Sequence, residues 1–139
     1  MLRIVVCLIL KVAPRRRLGC LARILVVDDE PDERFLVRRA LKKQGHDVTV
    51  AGNGADGLKI AQEQVPDLVV TDIMMPVMGG VEFIRRLRGD LATAGIPILA
   101  ATGDTHLAGA ADAVLAKPYD DLRLITLVNS LLEKGREVR

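Results

Sequence analysis

Aromatic residues are nearly absent from this 139-residue chain: there is no Trp, one Tyr (Tyr119) and two Phe (Phe35, Phe83). A platform for stacking single-stranded bases is therefore excluded. There is no large excess of positive charge either, with 20 Lys and Arg against 18 Asp and Glu, so a broad phosphate-tracking surface is also excluded. No direct nucleic-acid partner is expected. The two cysteines, Cys7 and Cys20, have no metal-ligand or disulfide-framework spacing and read as reduced and incidental, which points to a cytoplasmic chain. No apolar run is long enough to cross a bilayer. The longest near the start, Ile4 to Leu10, has seven residues, about ten too few, so stable membrane insertion is not expected.

What remains is 50% hydrophobic and 27% charged, the balance of one compact aliphatic domain. The charge is unevenly placed. Residues 1–22 hold five bases (Arg3, Lys11, Arg15, Arg16, Arg17) and no acid, while the rest of the chain holds 15 bases and 18 acids. The order of apolar run and Arg cluster does not suit a secretory or twin-arginine signal. Residues 1–22 are read as a leader with three alternatives: a loose extension or mis-assigned start, a segment packed on the domain, or a weak interfacial membrane anchor. The domain is expected over 23–136, with 137–139 a short tail.

Within the domain, Ile24-Leu25-Val26-Val27 is continuously apolar and closed by acids, as a strand buried on both faces would be. Pro31 then opens a helix whose apolar face is Leu36, Val37, Ala40 and Leu41, with Arg38, Arg39, Lys42 and Lys43 on the other side and a stop at Gly45. The alternation repeats: a strand at Val48–Ala51, a helix at Ala55–Gln64 behind Asn53-Gly54, and a strand at Leu68–Thr71. After a Met-Pro-Gly loop come a helix presenting Val81, Ile84 and Leu87, strands at Ile96–Ala101 and Ala113–Ala116, and a last helix capped near Asp120-Asp121. This predicts a doubly wound five-stranded parallel α/β sheet, strand order 2-1-3-4-5.

In such sheets the working crevice lies beyond the carboxyl ends of the strands, at the switch point. The strands here end in Asp28-Asp29, Asp72, Thr102 and Lys117-Pro118. In this order three carboxylates converge, and each pair about 4 Å apart repels by ~4 kcal/mol at an effective dielectric near 20. A hard divalent cation such as Mg²⁺ relieves that repulsion, and Lys117 and the Thr102 hydroxyl add donors suited to phosphoryl oxygens.

Ile24-Leu25-Val26-Val27-Asp28-Asp29-Glu30-Pro31, Asp67-Leu68-Val69-Val70-Thr71-Asp72-Ile73-Met74-Met75-Pro76, Thr102 and Lys117-Pro118, in that order, resemble the receiver domain of two-component response regulators over about residues 23–136. The resemblance implies a stand-alone, chemotaxis-regulator-like module with Asp72 as phosphoacceptor. Asp28, Asp29, Asp72 and the Met74 backbone carbonyl would hold Mg²⁺. Thr102 would be the switch hydroxyl, and Lys117 the phosphate partner, joined to Pro118 by a cis bond. It implies a sensor histidine kinase or a histidine phosphotransfer protein as donor and an unidentified downstream protein as target. A homodimer is left open. Such a chain is not an enzyme, beyond promoting its own phosphorylation and dephosphorylation.

The chain departs from the family pattern in three places. Gly103–Asp112, between strands 4 and 5, is too short for a full crossover helix, so that helix is expected to be a turn or missing, leaving apolar sheet to be covered by something else. Val114 stands where a Tyr or Phe is typical, and Gly79 where Asp or Asn is common. Two alternatives follow: a pseudo-receiver that binds without being phosphorylated, and an Asp-nucleophile phosphohydrolase, which Met74 weakens because an acid is expected there. His46 and His106 lack ligand-spaced partners and read as surface residues, and Met74, Met75 and Met78 as loop packing.

Overall fold

The computed structural model describes residues 21–135; Cys7, Cys20, nearly all of the proposed leader and the 137–139 tail lie outside them. The elements follow in the order β1 (Arg23–Val27), α1 (Pro31–Lys43), β2 (Asp47–Ala51), α2 (Gly54–Gln64), β3 (Leu68–Thr71), α3 (Gly80–Gly89), β4 (Ile98–Thr102), a 3₁₀ turn (Thr105–Leu107), β5 (Ala113–Ala116) and α4 (Asp121–Lys134). All strand pairs are parallel, and the sheet order is β2-β1-β3-β4-β5.

The strands are apolar on both sides because both faces are covered. On one face Ile24, Val26, Val70, Leu99, Ala101 and Leu115 meet α1 and α4; on the other Leu25, Val27, Val69, Ile98 and Ala100 meet α2 and α3. Local chemistry sets the helix ends. Asn53 and Asp120 cap α2 and α4 by accepting from the backbone N–H of Asp56 and Arg123, each at 2.9 Å. After α1 the chain turns at Gly45, whose φ of +91° suits glycine.

Three expectations are corrected. Leu36 is 55% exposed, because on α1 it lies outside the stripe of Val37, Ala40 and Leu41 that faces the sheet. β4 starts at Ile98 rather than Ile96, because Pro97 has no N–H to give to a ladder, although Ile96 is still buried. His46 is not a surface residue: it is buried, and its Nδ1 accepts the backbone N–H of Ala22 at 3.2 Å. Burial depresses its pKa below the ordinary 6.5.

Between β4 and β5 the helix is reduced to the 3₁₀ turn. The uncovered sheet expected from this is largely closed. β4 is buried over its whole length, Ala108 and Ala111 pack into the core beside Ile98 and Ala100, and Val114 on β5 remains half-buried. The closure is held by Arg88, near the end of α3. Its guanidinium donates to Ala94 O (3.1 Å) and Ile96 O (2.7 Å) and pairs with Asp112 Oδ2 at 2.6 Å, and the same Asp112 oxygen accepts the Ile98 N–H. One buried ion pair thus ties α3, the start of β4 and the start of β5.

Candidate functional site

Strand β1 stops at two acids that cannot continue an apolar sheet, and β3 stops at a third. Because β1 and β3 are neighbours, with Val27 opposite Thr71, those acids arrive together. The backbone N–H of Asp72 donates to Val27 O at 2.9 Å, and that of Asp28 to Ala51 O at 3.1 Å, so both acids are placed by sheet hydrogen bonds. Asp28, Asp29 and Asp72 each offer an oxygen within 4.8 Å of the others, Asp28 and Asp72 buried and Asp29 half-buried. Three carboxylates at that separation repel unless a cation joins them, and their hard oxygens fit Mg²⁺.

Lys117 arrives from the end of β5, where its bond to Pro118 is cis, as the resemblance implies. Its Nζ lies 3.2 Å from Asp72 Oδ2 and 3.6 Å from Asp28 Oδ2. A third acid completes the set: Glu33, in the first turn of α1, holds the same nitrogen at 2.5 Å. Burial works against the Lys117 charge, but the Glu33 hydrogen bond and the Asp28 and Asp72 carboxylates outweigh it and hold its pKa above the ordinary 10.5. Burial, helped by a hydrogen bond with Glu33, pushes Asp28 up to about 7. Glu33 moves the other way: burial opposes its charge, but its bonds to Asp28 and Lys117 prevail.

Thr102 ends β4 and is buried, with its hydroxyl accepting the Asp104 N–H at 3.1 Å. The loop after Asp72 is anchored at both ends. Asp72 Oδ1 accepts the Ile73 N–H at 2.6 Å, and Gly80 fits so closely that a Cβ there would lie 2.2 Å from Asp72 O. Between these ends the loop faces solvent: Met74 is 67% and Val77 86% exposed, while Met75 and Met78 pack on the core. Met74 is thus not the packing residue expected of it. Val77 has φ +68°, a left-handed conformation costly for a β-branched side chain.

The site residues read from the sequence therefore converge in part. Asp28, Asp29, Asp72 and Lys117 meet, and Thr102 takes the end of the neighbouring strand. Glu33 was missed. Its first-turn position reads as an ordinary favourable acid at a helix start, and only its distance from the motif acids along one turn hinted at more. Tyr119 packs with the α1 and α4 core, whereas Val114 belongs to the opposite face, so Tyr119 does not replace the aromatic absent at Val114.

The family model of the response regulator receiver domain matches residues 24–129, and the chain belongs to that family. Its members are signalling modules rather than classical enzymes; they bind Mg²⁺ at an acidic site and work with histidine kinases and downstream targets. Among curated relatives, protein PilH of Pseudomonas aeruginosa is 38% identical over 120 residues, spanning 81% of this chain and 98% of that protein. The DNA-binding response regulator MtrA of Mycolicibacterium smegmatis is 34% identical, over 83% of this chain but 52% of its own length. Among solved structures, the chemotaxis response regulator CheY4 of Vibrio cholerae superposes with a TM-score of 0.77 at 31% identity, covering 81% of this chain and 99% of that one. The response regulator TrrA of Thermotoga maritima, solved in complex with Mg²⁺-BeF, gives 0.74 at 33% identity over 81% of this chain and 100% of that one. No described helix is long and apolar enough to cross a membrane.

Proposed function

We propose that this protein is a single-domain response regulator that takes a phosphoryl group onto Asp72 and signals by binding another protein. The observation that carries this reading is the convergence of Asp28, Asp29 and Asp72 with the Lys117 ammonium 3.2 Å from Asp72.

The donor is a phosphohistidine on a sensor kinase or a histidine phosphotransfer protein. Asp72 Oδ2 attacks phosphorus, the P–N bond breaks, and its electron pair returns to the imidazole, which takes a proton from solvent. Lys117 releases Asp72 and follows the phosphoryl oxygens, with Glu33 still holding it near the site. The Thr102 hydroxyl then turns from the Asp104 N–H toward the same group. Asp28, Asp29, Asp72 and the Met74 carbonyl would hold Mg²⁺, which when bound offsets the charge on the phosphoryl oxygens. These roles match the family's motif residue for residue, which supports them. The chain's span of nearly the whole of PilH favours the stand-alone reading, and cytoplasmic placement accords with a kinase donor.

A pseudo-receiver is the second reading, favoured by Val114 and by the crossover helix being reduced to a 3₁₀ turn. Intact-mass measurement after mixing with acetyl phosphate and Mg²⁺ decides between them. A gain of one phosphoryl group that disappears in Asp72→Ala supports phosphorylation, and no adduct with acetyl phosphate or a phosphohistidine donor establishes the pseudo-receiver.

A further inference from the structure

Glu33 lies outside the strand-end motif, yet it makes the shortest contact to Lys117: its Oε2 is 2.5 Å from Nζ, against 3.2 Å for Asp72 Oδ2 and 3.6 Å for Asp28 Oδ2. The ammonium held by Glu33 therefore stands within hydrogen-bond reach of the acceptor at the same time. The base that carries Glu33 is fixed. Pro31 starts α1 with its φ preset by the ring, Asp28 Oδ1 accepts the Glu30 N–H at 2.9 Å, and the Arg34 guanidinium donates to Asp28 O at 2.8 Å. The first turn of α1 is thus bolted to one of the site's own acids.

The three partners of Lys117 differ in what else they do. Asp28 and Asp72 belong with Asp29 to the group whose oxygens fit a divalent cation, and Glu33 stands outside that group. Once Asp28 and Asp72 give oxygens to such a cation, they hold the ammonium less tightly, and the two positive charges repel. The ammonium also has somewhere else to go. Lys117 and Glu33 line an open groove of about 460 Å³ between α1 and α4, shared with Leu36, Tyr119 and a further acid, Asp121. A lysine is a point charge on a flexible stem, with no fixed fork to keep it at the acceptor. We propose that Glu33 is a positioning residue that keeps the Lys117 ammonium beside Asp72 while a divalent cation occupies the neighbouring carboxylates, and so sets how fast Asp72 takes a phosphoryl group. The inference rests on the reading of Asp72 as the acceptor.

The direct test needs no phosphoryl donor: lysines of the full chain are methylated with formaldehyde and cyanoborohydride in saturating Mg²⁺ and located by peptide mass. In Glu33→Gln, Lys117 should label about tenfold faster than in the wild type, as expected for loss of one charge-assisted hydrogen bond. The exposed Lys42 and Lys59 should label at unchanged rates, which reports an intact fold. With acetyl phosphate added, Glu33→Gln should slow the Asp72 adduct about tenfold in the wild-type background but less than about twofold in Lys117→Gln, because a residue that works through Lys117 has no effect once Lys117 is gone. Glu33→Asp keeps the charge but draws it back by one methylene, so it should be as slow as Glu33→Gln. Equal Lys117 labelling in wild type and Glu33→Gln overturns the proposal, and so does an unchanged adduct rate. A defect that persists in Lys117→Gln also overturns it, since Glu33 would then act on Asp28, and full rescue by Glu33→Asp would reduce its role to a negative field. A wild type that takes no phosphoryl group sinks the acceptor reading and the rate claim with it, while the labelling still decides whether Glu33 holds Lys117.

Discussion

Arg88 and Lys117 are both largely buried cations facing acids, with side chains 13% and 20% exposed, yet they are built for different purposes. Arg88 spreads its donors over backbone carbonyls and one carboxylate, which itself holds a strand N–H. Removing it orphans several buried acceptors at once, so the arrangement has one stable state. Lys117 presents a single nitrogen to Glu33, Asp72 and Asp28, drawn from three separate segments. Its partners exceed what one charge can satisfy, and the surplus acids are free to take another cation while the ammonium follows a new anion. A fork of fixed donors makes a clamp; a point charge shared among competitors makes an exchangeable contact.

The largest effect is expected at the clamp. Arg88→Ala or Asp112→Ala leaves one buried partner uncompensated and should cost about 3–5 kcal/mol in urea unfolding, with Arg88→Lys rescuing little because one nitrogen cannot reach the same acceptors. A loss under about 1 kcal/mol would show that the β4–β5 crossover is held by something else. At the exchangeable site the pattern should invert. Lys117→Gln should slow formation of the Asp72 adduct with acetyl phosphate about 100-fold, while unfolding changes far less than for the Arg88 variants. An Arg88 variant that keeps its fold but slows the adduct as much as Lys117→Gln would erase the distinction.

The smallest effect concerns His46, which is buried like Arg88 but stays neutral. Burial places its folded pKa below the unfolded 6.5, so its contribution to stability is complete above that pH and is lost as pH falls through 6.5 toward the folded value. Asp28, raised to about 7 chiefly by burial, titrates with the opposite sign over the same range, gaining stability on acidification. The measurement is therefore the difference between wild type and His46→Asn in urea midpoints from pH 8 to 5. The wild type should lose relative to the variant as pH falls; parallel curves would mean that His46 protonates freely in the folded state.

The clamp was invisible in the sequence for the same reason that the motif acids were conspicuous. Asp28, Asp29, Asp72 and Lys117 each terminate a strong apolar strand, and a polar residue at that position has few purposes. Arg88 and Asp112 stand among ordinary helix and loop charges, 24 residues apart, and nothing local marks them as partners. Glu33 and His46 were hidden likewise, one behind the usual preference of helix starts for acids, the other behind its lack of any ligand-spaced partner in the sequence.

Periodicity, strand-end chemistry and turn residues belong to stretches of a few residues, so the chain's own order was enough for the type and order of most elements, β3 and β5 to the residue, and the edge of the sheet where Asp28, Asp29 and Asp72 meet. Which distant charges neutralise one another, how a ten-residue crossover covers β4, and which face Tyr119 takes depend on how the elements pack. Coulomb and packing energies are set by separation in space, and folding brings Arg88 to Asp112 and Glu33 to Lys117 across stretches of chain that carry no mark of either meeting.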